Sequence, residues 1–200
     1  MGLRETRKAA RRQAIEDAGL ALFLEDGFER CSVERIVASV GIARGTFYLY
    51  FPDKLSLFEA LCERLYGPLV ATLERSRGLL GRAPSPEHQQ LLYLQMSMAL
   101  AEQLEGARPL MLLHFREHRS AAASGQVVAG WMQKVEDLAV SILEDAHERG
   151  LVRDIQPVTV ALAIIGSAER LIWAWLTGDE RLDADRAVLE LANVFYSGIR

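Results

Sequence analysis

The sequence predicts an all-α chain of about nine helices, and three observations carry that prediction. Apolar residues recur at i, i+3, i+4 and i+7 through most of the chain. The period-two alternation of strands is absent, and glycines and prolines fall where helices should begin or end. With 200 residues, 50% of them hydrophobic, the chain can bury a substantial core in one or two domains.

The first helix is expected from about Arg4 to Asp26, with Ile15, Ala18, Leu22 and Phe23 on one stripe and Gly27 closing it. Gly19 inside it costs about 1 kcal/mol relative to alanine, so close packing against neighbouring helices is expected there. Val33, Ile36, Val37 and Val40 give a second, short helix one apolar face, and Ser32 sits where its N-cap belongs. Gly41 supplies the positive φ that ends this helix and turns the chain sharply. A third short helix should run from Ala43 to about Tyr50, stopped by Pro52. Asp53 caps a fourth, which starts at Lys54 and continues to about Leu80, bent at Pro68.

The segment 81–88, GRAPSPEH, reads as a loop. Helices are then expected from Pro86 to Leu104 and from Pro109 to Arg119, with a further loop or fraying helix end near 120–125, SAAASG. The longest regular pattern follows, in which Val128, Trp131, Val135, Leu138, Ile142 and Ala146 keep a period near 3.6 up to Gly150. Pro157 opens a helix of low polarity that Gly178 closes, and a last helix runs from about Asp183 to Ser197.

Two short helices joined by a glycine turn form the geometry that lays the second helix in a DNA major groove. In that placement Arg44, Thr46, Tyr48 and Tyr50 reach base edges or phosphate oxygens, while Phe47 and Phe51 look inward. Charge agrees. Arg4, Arg7, Lys8, Arg11 and Arg12 stand near the start against Glu5 alone, on a chain whose net charge is −4. A basic arm on an acidic body suits phosphate contact confined to one end.

Other chemistries find no foothold. Cys31 and Cys62 make no CxxC pair, which excludes a zinc finger and points to buried, inert thiols. His114 and His118 share a helix face, but without a carboxylate or cysteine at ligand spacing they read as solvated or hydrogen-bonded histidines. No nucleophile–base pair and no phosphate-cradling glycine loop is present, so no enzyme, cofactor or metal is expected. The N-terminus lacks the apolar core of a signal peptide, and no apolar run is read as reaching the roughly 18 residues of a membrane helix. The expectation is a cytoplasmic protein with no membrane partner.

From Ile15 to Leu61 the residues resemble the TetR family of bacterial transcription regulators. The resemblance rests on Ala18–Gly19, Leu22–Phe23, Gly27–Phe28, Ser32–Val33, Ile36, Gly41, Gly45–Thr46–Phe47–Tyr48, Phe51 and Lys54. It departs little, at Cys31 before the cap and at Gly19, where alanine is more usual. It implies a three-helix helix-turn-helix DNA-binding domain at 1–53 and a helical effector-binding and dimerisation domain at 54–200. Ser32 would then be a phosphate-binding cap. Arg44, Gly45 and Thr46 would form the base-facing start of the recognition helix, and Tyr48, Tyr50 and Lys54 would clamp phosphates. Arg44 has the fork geometry for a guanine, with a phosphate contact as the other reading.

The resemblance also implies a homodimer on double-stranded operator DNA and a pocket for a small hydrophobic or aromatic effector. Tyr66, Met96, Met98, Phe115, Trp131, Trp173 and Trp175 are candidates to line that pocket, although core packing explains such residues too. The apolar helix from Pro157 and the last helix, with Val188, Leu191, Ala192 and Phe195, supply surface that a dimer would cover. Glu169 and Arg170 lie within that apolar helix and must be paired or turned to a ligand. The function read from the sequence is a ligand-responsive regulator, most simply a repressor released from a palindromic operator by its effector. The alternative is a helical binding or adaptor protein without sequence-specific DNA recognition.

Overall fold

A computed structural model describes residues 2–80, 82–83 and 85–199, of which the side chains of Leu3, Pro86, Asp185 and Ile199 lie outside the description. Among the described residues every regular element is a helix: α1 Leu3–Asp26, α2 Val33–Val40, α3 Arg44–Tyr48, α4 Lys54–Leu80, α5 Pro86–Gly106, α6 Arg108–Glu117, α7 Ala123–Glu148, α8 Pro157–Leu176 and α9 Ala184–Ile199. The all-α expectation holds, helix by helix.

Local chemistry accounts for most boundaries. The Ser32 hydroxyl accepts the Arg35 amide at 3.3 Å and caps α2. Gly41 ends it in the left-handed region at φ 69°, where only glycine sits without strain. Asp53 accepts the Ser56 amide at 2.7 Å ahead of α4, and Ser85 accepts the His88 amide at 3.2 Å ahead of α5. Within the expected loop at 81–88, Gly81 and Pro84 lie outside the described residues.

Two expectations are refined. Near 120–125, where a loop or fraying helix end was expected, α7 begins at Ala123. Small residues permit this, because a Cβ on Gly125 would stand 1.9 Å from the Ser120 carbonyl oxygen. The second concerns α8, which does reach the length and mean hydropathy, 1.4, that a membrane span requires. Glu169 and Arg170 are too few to offset its alanines, isoleucines and leucines. In the structure α8 packs along α9.

The chain forms two compact units. One comprises residues up to Tyr66 together with Pro109–Trp131; the other comprises Gly67–Arg108 and Met132–Arg200. In the first, Ile15, Phe23, Phe28, Ile36, Phe47, Phe51, Leu57, Phe58 and Leu61 are buried together. Phe23, Phe28 and Phe58 form a ring triad with centroids 5.2 to 5.9 Å apart, edge-on or tilted as aromatic quadrupoles prefer. Buried Glu16 ties α1 to α4 by meeting Arg64 at 3.2 Å, with Arg12 at 2.9 Å from its own helix. In the second unit α9 packs on both α5 and α8. Gln103 donates to Thr72 at 2.9 Å, Arg77 pairs with Asp145 at 2.7 Å, and Arg108 donates to the Leu176 carbonyl at 2.7 Å.

The close approach expected at Gly19 is present: a Cβ there would come within 2.6 Å of the fully buried Leu57 side chain. Alanine in place of a mid-helix glycine ordinarily stabilises a helix by up to about 1 kcal/mol, whereas overpacking costs about 1–3 kcal/mol. Gly19→Ala is therefore expected to destabilise by about 1 kcal/mol in urea unfolding, reversing the usual sign. Both cysteines are buried, and burial, aided by Glu59 and Glu117, pushes the Cys62 thiol up to about 12. Native protein at about pH 8 should therefore resist alkylation at Cys62 and label fully once unfolded. Rapid labelling of folded protein would contradict this packing.

Candidate nucleic-acid interface

The head presents α3 as a short rod whose inner side is Phe47, fully buried, with Phe51 beneath it 5.8 Å away. The turn before it is set by Gly41 and by the Ile42 amide bonding the Val37 carbonyl at 3.0 Å. Along α3 the residues Arg44, Gly45 and Tyr48 face outward, and Thr46 and Tyr50 are half-buried. Tyr48 keeps 43% of its surface exposed and stands edge-on to Phe47. The structure thus brings Arg44, Gly45, Thr46 and Tyr48 onto one exposed element. Ser32 stands half-buried at the head of α2, where its O–H remains able to donate.

Arg44 is not idle. Its guanidinium meets Glu34 at 2.8 Å and donates to the Tyr48 hydroxyl at 3.3 Å, lying 5.8 Å from that ring. Glu34 is exposed. Its own backbone amide and Arg44 hold its carboxyl below the usual carboxylate range. This acidic residue, which the sequence reading passed over, holds the arginine flat on the surface and competes with any incoming anion.

Lys54 lies elsewhere in chemical terms. Its ammonium donates to the carbonyls of Phe28 at 2.6 Å, Cys31 at 2.9 Å and Glu29 at 3.3 Å, and sits 4.3 Å from the Phe28 ring. A lysine has three N–H donors, and all three are spent here. In this structure Lys54, for which a phosphate contact was expected, fastens the chain between α1 and α2. The same turn is gripped from α6. Buried Glu117 accepts the Phe28 amide at 3.3 Å and the Ser124 hydroxyl at 2.7 Å, and Arg116 donates to the Leu24 carbonyl at 2.5 Å. Arg116 and Glu117 carry no local signal; they lie 92 and 89 residues from their partners.

The residues expected to line an effector pocket divide between the units. Tyr66 and Trp131 stack in the first, centroids 5.6 Å apart and 6° from parallel. The Tyr66 hydroxyl bonds His114 Nδ1 at 2.5 Å, and Phe115 lies 4.8 Å from the His114 ring. That bond gives His114 the hydrogen-bonded role expected of it. Met96 and Trp173 belong to the second unit, half-buried and exposed respectively. Beside Tyr66 and His114 a cavity of about 10 Å³ is walled by Phe58, Leu61, Leu65, Leu113 and Val128. In the second unit a cleft of about 50 Å³ lies between Leu80, Gln89, Tyr93, Leu143 and Tyr196, with Arg77 and Arg149 at its polar side. Both are far smaller than the volume a drug-sized ligand fills, so an effector must part side chains to enter.

Residues 15–61 match the family model of bacterial regulatory proteins, tetR family. Over 70 residues the chain is 37% identical to the nucleoid occlusion factor SlmA of Actinobacillus pleuropneumoniae. That alignment takes in 35% of either chain, so the likeness to that relative is confined to about a third of its length. Over 194 residues the chain is 23% identical to the fatty acid metabolism regulator protein of Bacillus subtilis, covering 92% of this chain and 93% of that one. Its fold is shared with SmeT, solved in complex with triclosan, at a TM-score of 0.74 and 22% identity over 96% of this chain and 92% of that chain. SmeT is the repressor of a Stenotrophomonas maltophilia multidrug efflux pump.

The two cations of this region should separate cleanly in stability measurements. Lys54→Met leaves three carbonyls without their charged donor and is expected to cost about 2–4 kcal/mol in denaturant unfolding. Arg44→Ala, on an exposed ion pair, should cost under about 0.5 kcal/mol.

Proposed function

We propose that this chain, which belongs to the TetR family by its domain at 15–61 and by its fold, is a repressor that binds a palindromic operator as a homodimer and is released by a small apolar or aromatic effector. The observation that carries the reading is α3 itself: a rod anchored by Phe47 that turns Arg44, Gly45 and Tyr48 outward. Residues 1–53 supply the DNA contacts. Ser32, Tyr48 and Tyr50 hold phosphates, and Arg44 and Thr46 approach base edges. The exposed arginines and lysine at positions 4, 7, 8 and 11 of α1 add phosphate attraction.

Residues 54–200 supply the dimer and the effector site. Val158, Leu162 and Trp173 of α8 and Leu189 and Val194 of α9 are large apolar side chains left exposed. A second copy covering them would remove that surface from water and set two heads at the spacing of successive major grooves. The membrane-length hydropathy of α8 fits this role, and such a regulator works in the cytoplasm, where the DNA is.

For the effector, the Tyr66–Trp131 stack is the wall that opens. A flat or apolar molecule parting the two rings displaces His114, and α6 carries that movement to Arg116 and Glu117, which hold the ends of α1 and of the following turn. An effector that prefers the displaced α6 lowers DNA affinity in proportion to that preference. The adaptor alternative has no observation of its own in its favour.

The test is selection of a random duplex pool of about 30 bp on the full-length protein. Enrichment of a two-fold symmetric sequence is expected. Arg44→Ala should then weaken binding to it at least about tenfold, and Glu34→Gln should strengthen it several-fold by releasing Arg44 and removing a charge that repels phosphate. Salt-dependent binding with no enriched sequence would sink the repressor reading.

A further inference from the structure

Leu49 is the most exposed large apolar side chain among the described residues, with 78% of its surface accessible. It directly follows α3 in right-handed helical geometry, φ −74° and ψ −17°, so the residues of α3 and Leu49 step round one axis by about 100° each. Phe47 marks the buried side. The direction opposite Phe47 falls between Gly45 and Leu49, which are four residues apart and therefore lie one above the other. Tyr48 borders this ridge on one side, with the Arg44 guanidinium bonded to its hydroxyl, and Thr46 borders it on the other. At Gly45 a Cβ would meet nothing within 4 Å. The outermost line of the rod is thus bare backbone followed by a leucine, with Tyr48, to which the guanidinium of Arg44 is bonded, beside it.

We propose that Leu49 is a specificity-determining residue that reads the 5-methyl group of a thymine in the major groove. The inference rests on the DNA-binding reading above. Thymine is the one base whose major-groove edge carries a methyl; adenine, guanine and cytosine present donors and acceptors there. A leucine against those polar edges strips their water and returns no hydrogen bond, so the same side chain favours thymine and disfavours the other bases. The missing side chain at Gly45 lets the backbone come close enough for a leucine, shorter than an arginine, to touch a base. Continuity with Arg44 and Tyr48 argues for DNA over a protein partner, since a cation and a phenol beside the leucine match phosphate and base edges.

The experiment begins from the duplex enriched from the random pool. Each thymine is replaced singly by deoxyuridine, which removes the methyl alone, and binding of full-length wild type, Leu49→Ala and Arg44→Ala is measured. At one thymine position per half-site, wild type should lose about three- to tenfold in affinity on the uracil duplex, the effect of one methyl leaving its apolar contact. Leu49→Ala should bind the thymine duplex that much more weakly and bind thymine and uracil duplexes equally. Arg44→Ala should bind weakly yet keep the discrimination, giving a closed cycle that assigns the coupling to Leu49. Because Leu49 is exposed, its alanine variant should melt at the wild-type temperature. An enriched duplex at which uracil costs nothing, or costs Leu49→Ala as much as wild type, overturns this inference and leaves the regulator reading standing. Failure to enrich any sequence overturns both.

Discussion

The candidate interface depends on one clamp. The turn between α1 and α2 exposes carbonyls that neither helix can satisfy, and the single ammonium of Lys54 takes three of them. Unsatisfied carbonyls in a half-buried turn cost about 1–3 kcal/mol each, so without that charge the direction in which α2 leaves the turn is poorly set. The orientation of α2 in turn sets α3, because the Gly41 turn between them is too tight to absorb an error. What looks like a charge at a helix start is therefore the fastener of the whole head.

That fastening has a second hand. Glu117 and Arg116 of α6 hold the same region from the other side, the carboxylate on the Phe28 amide and the guanidinium on the Leu24 carbonyl. Phe28 is thus fixed at its N–H by α6, at its carbonyl by α4 and at its ring by Phe23 and Phe58. A residue held at three points passes on a displacement of any one of them. The helix that carries Glu117 also carries His114, bonded to Tyr66 against Trp131. One helix of ten residues thus carries both the partner of Tyr66 and the side chains that hold the turn between α1 and α2.

The surface of α3 balances attraction with restraint. Glu34 holds Arg44 in place, so the arginine is ordered before any ligand arrives, yet the same carboxylate must be displaced or outcompeted by a base or phosphate. Beside this polar pair stand a glycine without steric bulk and a leucine that keeps most of its surface open to solvent. Polar groups and an apolar group thus share the exposed surface of one short helix.

How much of this was legible depends on the range of the interaction. The caps at Ser32 and Asp53, the left-handed Gly41 and the inward Phe47 and Phe51 are settled by neighbours a few residues away, and all could be read from the order of residues. So could the all-helical class, since periodicity reports which face of each helix is apolar. The start of α7 within SAAASG could not, because it required the Ser120 carbonyl to lie against Gly125, a contact that composition does not reveal. Nor could the division of labour among charges. Lys54 and Arg44 look alike as basic residues near a turn, but carbonyls 23 to 26 residues away consume the first, while the second stays on the surface. The amino-acid order determined the helices, because capping and periodicity act within a few residues; only the folded chain decided which side chains hold the structure and which are left to meet a ligand, because those partners lie across the core and up to 92 positions apart.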